Sequence, residues 1–130
     1  MNLDQPESTI NAILHNLNLA TVSKLTRELA RWTEELGNFC SVFSMPELQG
    51  RLEFSRGLLA TQTDSVSAGI EQMLLSLEKI SSIGTQESVA LFKELIAEAL
   101  LKEGRVAEAG SLIDETLALY DSYCFDFWKA

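Results

Sequence analysis

The residues able to do chemistry in this chain are few and scattered. The single histidine, His15, stands in "ILHNLNL", with no G-x-S-x-G elbow and no acidic partner at useful spacing to make it a general base. It reads as a helix-boundary residue. Cys40 and Cys124 lie far apart, outside any CxxC and without a second thiol or imidazole nearby, so zinc-ligand spacing is absent. Both are expected to act as small packing residues in a reducing, cytoplasmic setting. Glu34 with Glu35, and Asp114 with Glu115, are adjacent in sequence and so diverge by about 100° on a helix instead of converging on a cleft. No GxxxxGK[ST] or GxGxxG cradles a phosphate. The expectation is a chain with no catalytic residue, no cofactor and no metal.

Composition narrows the class further. A chain of 130 residues, 46% hydrophobic and 22% charged, has the usage of one ordinary folded domain. Its formal net charge of −9 is spread without any block of like charge. That field repels phosphate backbones and anionic headgroups, which makes nucleic acid and bare membrane poor direct partners. The opening "MNLDQPEST" lacks the basic and apolar regions of a signal peptide, and no window approaches the roughly 18 apolar residues of a membrane span.

The elements that must position these side chains are helices throughout. Pro6 and Pro46 each stand where a helix can begin, with Asp4 and Glu7, and Ser44 and Glu47, at capping-box spacing. Ile10, Ile13, Leu14 and Leu17 form a first stripe; Val22, Leu25, Leu29, Trp32 and Leu36 form a second that Gly37 is expected to end. "FCSVF" at 39–43 is β-rich but short, and is expected to be a packed loop or an early helix entry. A third helix is predicted over about 46–61 and a fourth over about 66–83, stopped by Gly84. A fifth carries Val89, Phe92 and Ile96 and ends at Gly104, and a sixth carries Val106, Ala109, Ile113 and Leu117 to Tyr120. The expected fold is all-α: three antiparallel hairpins over about 8–37, 44–84 and 85–121 in one domain.

A shift of about 40 residues lays "GLLATQTDSVSAGIEQM" over "AEALLKEGRVAEAGSLI", setting Gly57 against Ala97, Asp64 against Gly104 and Gly69 against Ala109. Small residues thus recur where two helices of a hairpin would cross. "LLKEGRVAEAGSLIDETLAL" resembles the second-helix pattern of a tetratricopeptide unit. The order of elements from about residue 20 to 130 resembles the C-terminal tetratricopeptide-like region of large bacterial signalling proteins. In those, a nucleotide-cyclase or DNA-binding transcriptional-activator domain is joined to a P-loop ATPase and then to such repeats. Arg56-Gly57, "AGI" at 68–70, "IG" at 83–84, "AEALLKEGRVAEA" and "FWKA" carry the resemblance. In that family the ending continues through "AEL" into a further helix, so a fragment of a longer chain is expected here.

The resemblance implies a non-enzymatic protein-interaction or regulatory module stacked as a superhelix, with ATPase or cyclase chemistry confined to other domains of a parent chain. The first helix of each pair would line a concave groove, offering Arg51, Phe54, Arg56, Lys93 and Lys102 to a peptide or a neighbouring domain. The alternative is a solenoid that senses a small molecule and gates its parent. The aromatic run "YDSYCFDFW" admits two readings: Tyr120, Phe125 and Trp128 seal the last hairpin against a following helix, or they form a face for docking or self-association.

Overall fold

A computed structural model describes residues 6–63, 65–83 and 86–129, and the side chains of these outside 82–88 and 122–129. Among them run six helices: α1 (Pro6–Ser23), α2 (Thr26–Val42), α3 (Pro46–Thr63), α4 (Val66–Ile83), α5 (Gln86–Lys102) and α6 (Val106–Lys129). Each packs on the helix before and the helix after it, giving three antiparallel hairpins with one continuous core. The fold is all-α. No helix among the described residues is long and apolar enough to cross a membrane. Asp4, Asp64, Gly84, and the side chains of Cys124, Phe125 and Trp128, to which the sequence reading assigned caps, a turn, packing and a docking face, lie outside the described residues.

The repeat extends over all three hairpins. First helices start at Pro6, Pro46 and Gln86, second helices at Thr26, Val66 and Val106, and each start falls 40 residues after its counterpart. The turns repeat as well. Leu25 N–H bonds the Ala20 carbonyl and Lys24 N–H the Thr21 carbonyl; in the last hairpin Arg105 N–H bonds Leu100 and Gly104 N–H bonds Leu101. These are Schellman closures, and they need a left-handed residue at their centre. Gly104 supplies it at φ 77°, and Lys24 supplies it at φ 57°. A lysine in that conformation costs about 1–2 kcal/mol that glycine avoids.

At the hairpin crossings the counterpart pairs are Leu17 with Leu29, Gly57 with Gly69, and Ala97 with Ala109, all buried. The middle crossing is the tightest. A Cβ on Gly69 would lie 2.5 Å from the Gly57 carbonyl oxygen, and one on Gly57 would lie 2.9 Å from that of Gly69. Neither glycine can be lengthened without parting the helices. The hydroxyl of Ser65 accepts from the Ala68 N–H and caps α4 as it enters this crossing.

Three local expectations are corrected. The first turn falls at Lys24, so Val22 belongs to α1 and is exposed, not part of the α2 stripe. Gly37 lies inside α2, which continues through "FCSV" because Phe39 is buried and its ring stacks on Phe43 with centroids 4.7 Å apart. The Gly37 site instead serves the seam with α3: a Cβ there would meet Arg56 Nη2 at 3.3 Å. α3 begins as expected, but Met45 takes the cap position, its carbonyl accepting from Leu48 and Gln49, one residue after Ser44.

One buried group is left unpaired in this core. Thr33 is buried in α2 and its hydroxyl has no hydrogen-bond partner among the described residues. Thr33→Val keeps the shape and removes the desolvated hydroxyl, so stability should rise by about 1 kcal/mol. Urea unfolding with an unchanged slope checks this; a lower midpoint would show that the hydroxyl is satisfied in solution.

Candidate functional site

The first helices of the three hairpins run parallel and share an inner face. Among the contacts that join them, Arg51 Nη2 of α3 donates to Asn18 Oδ1 of α1 at 2.9 Å, Arg51 lies over the Phe92 ring of α5 at 5.0 Å, and Lys24, just after α1, pairs with Glu98 of α5. Further along, Thr21 of α1 and Lys24 of the turn after it, Leu58, Thr61 and Gln62 of α3, and Leu95, Glu98, Ala99 and Lys102 of α5 line a cleft of about 30 Å³. That is room for a water-sized group, far below the roughly 300–1,000 Å³ of a ligand pocket.

Arg51 is the unusual member of this face. It sits mid-helix on α3, which lies between α1 and α5 and is buried on both sides. Its Nη1 donates to Ser55 Oγ, one turn on, at 2.7 Å, and its Nη2 to Asn18, so both partners are neutral. No carboxylate among the described residues pairs with it. Burial lowers its pKa to about 10, which leaves a full cation at neutral pH. A desolvated guanidinium ordinarily has a carboxylate beside it, because taking the charge out of water costs several kcal/mol. Here a ring face and two neutral acceptors offset part of that cost. Two of the nitrogens in its five-donor fork are engaged in this way, and the residue is 8% exposed.

The structure places the other sequence-predicted groove residues at different addresses. Phe54 is fully buried beneath the groove, its ring against Phe92 with centroids 4.4 Å apart. It belongs to the core and is not among the residues that line the cleft. Lys102 stands on the rim of the cleft. Arg56 points to the α2–α3 seam, beside Gly37 and close enough to Cys40 to oppose the rise that burial gives that thiol's pKa. Lys93 faces α6, where it pairs with Glu115 at 3.4 Å. Tyr120 also bridges the last hairpin: its hydroxyl bonds the Glu94 carboxylate, which raises the phenol's pKa above its ordinary value. His15 is exposed on α1.

Sequence reasoning missed Asn18, Ser55 and Phe92 as partners of Arg51. The available signal was the i,i+4 pairing of Arg51 with Ser55 on a helix whose neighbours on both sides are apolar. Comparison of the chain with protein-family models, with curated proteins and with solved structures finds no match.

Proposed function

We propose that the chain is a protein-interaction module whose inner face, built by α1, α3 and α5, holds an extended peptide segment and receives one of its carboxylates at Arg51. The observation that carries this reading is the buried guanidinium with neutral partners alone. A carboxylate supplies the countercharge that the fold omits, in a low-dielectric setting where a bidentate contact is strong. The protein's charge of −9 disfavours a polyacidic ligand, so the matching segment has a single acidic residue flanked by neutral ones. The cleft beyond Arg51, small and lined by polar and apolar residues alike, suits backbone and small side chains of such a segment better than an enclosed small molecule. Following the resemblance, the module serves as a regulatory segment of a bacterial signalling ATPase linked to a cyclase or a transcription activator. Its ligand is then a peptide of another protein or of a neighbouring domain.

The test is a peptide array in which every sequence appears twice, once with a central Glu and once with Gln, probed with the wild type and with Arg51→Met. Charge-assisted contacts of this kind contribute about 1.5–3 kcal/mol, so the variant should bind its preferred peptides roughly 10- to 100-fold more weakly and lose the Glu preference. Its stability should hold or rise, since an apolar side chain replaces a buried charge. Equal Glu preference in both proteins sinks the proposal.

A further inference from the structure

The outer face of α6 repeats a surface that the two earlier hairpins bury. In α2, Thr26 donates to Gln62 of α3, and the Gly37 site abuts Leu52 and Arg56 of α3. Forty residues on, Val66 packs against the core and Leu77 is 8% exposed, in the helix that receives α5. A further 40 residues on, Val106 is 65% exposed and Leu117 54%, with Ile113 and Tyr120 beside them on the same stripe. The face that α2 offers to α3, and α4 to α5, is exposed at the described side chains of α6.

The other end of the array is open in a complementary way. On α3, Gln62 meets Thr26 of the preceding hairpin and Leu59, one turn earlier, packs against the core; their counterparts 40 residues earlier on α1 are Val22 and Leu19. Both are exposed, Val22 at 65%. α1 also lacks a charged outer face: "PESTINAILHNLNLATVS" has Glu7 as its one acidic side chain and no lysine or arginine. Its composition is that of an interior helix. Each end thus presents the chemistry that the other end's counterparts cover inside the molecule.

We propose that the chain associates head to tail with further copies of itself, the α6 stripe of one copy packing on the Leu19–Val22 face of α1 in the next. The contact continues the α2–α3 and α4–α5 seams by one more 40-residue step. Because it joins two different surfaces, it leaves a free end on every assembly and grows with concentration instead of closing as a dimer. The inference stands on the outer ends of the array and is independent of the peptide-binding reading of the inner face. Each copy carries a formal net charge of −9, so copies repel one another and added salt strengthens the association.

The test uses size-exclusion with light scattering on the wild type, on Leu117→Glu, on Val22→Glu and on an equimolar mixture of the two variants. Both substituted residues are exposed, and circular dichroism verifies that the helices persist. The wild type should rise past twice its 14.4 kDa as concentration increases. Each variant alone should stay a monomer. The mixture should form a dimer and stop there, since the intact α1 of one variant meets the intact α6 of the other and the two remaining ends are blocked. A wild type that is monomeric at every concentration overturns the proposal. So does a Val22→Glu variant that still self-associates, which would mark a symmetric α6–α6 contact, or a mixture that fails to pair.

Discussion

Gly69→Leu should be the most damaging single change in the molecule, with a loss of stability beyond the roughly 1–3 kcal/mol of an ordinary over-packing substitution. Even the first added carbon would stand 2.5 Å from the Gly57 carbonyl oxygen and 2.5 Å from Thr61 Cγ2, with the Thr61 amide nitrogen 2.9 Å away. Two of those three atoms are backbone, so relief requires α3 and α4 to separate along their length. Met73, buried against Gly57 at this crossing, and Ile80, which packs at the Gly50 site further along the same pair of helices, would lose contacts together. The control is Gly110→Ala on α6, where a Cβ meets nothing within 4 Å. There alanine should add about 0.8–1 kcal/mol through helix propensity alone. Urea unfolding of both variants decides the matter. A Gly69→Leu midpoint near the wild type's would mean that the two helices are not in contact at this point.

Phe54→Ala should cost about 3–5 kcal/mol, the range for deleting a fully buried ring. Phe54 also holds Phe92 from below, with the Arg51 guanidinium over that ring 5.0 Å from its centroid. Loss of the lower ring lets the Phe92 platform tilt, so the variant should lose Arg51-dependent discrimination between Glu and Gln peptides even at temperatures where it stays folded. Phe54→Leu fills most of the space and should recover much of the stability without restoring the ring contact. Full peptide discrimination in Phe54→Ala would show that Arg51 is held without its stacked support.

The second and third hairpins were legible because they use the residues that local physics favours. Glycine and alanine stand at their crossings, Gly104 at a left-handed turn, and the apolar spacing of α4, α5 and α6 is helical. The first hairpin obeys the same 40-residue step and was placed wrongly. Leu17 and Leu29 occupy its crossing, where small residues would have announced it, and Lys24 takes the left-handed position that glycine takes in the last turn. Tertiary packing enforces there what the local residues do not advertise. Gly37 misled for the converse reason: a glycine that looks like a helix end is a close-approach site between neighbouring hairpins.

The inner face was less legible still. A helix packed on one side displays its charged residues opposite its apolar stripe, and periodicity then tells them apart. α3 is packed on both sides, so Arg51, Arg56 and Glu53 share one helix but go to the groove floor, to the α2 seam and to a surface pair with Lys79. Only the relative placement of three hairpins assigns them. Lys93 is likewise committed to Glu115 by a contact that exists only once α5 and α6 have closed.

The crossing of Gly57 and Gly69 also has a mechanical meaning. Backbone held against backbone lets the middle hairpin behave as a stiff plate, whereas the first and last hairpins cross on side chains that can shift rotamer. Bending of the array is therefore expected to concentrate at the seams on either side of that plate, with the outer hairpins swinging about it like two leaves on one spine. Since α1 and α5 belong to the leaves and α3 to the spine, such a swing changes the width of the inner face while Arg51 stays fixed at its centre. A segment that draws the leaves inward would in the same motion re-aim α1 and α6, the two surfaces at which copies meet, so occupancy of the inner face would set the pitch of any stack built from them.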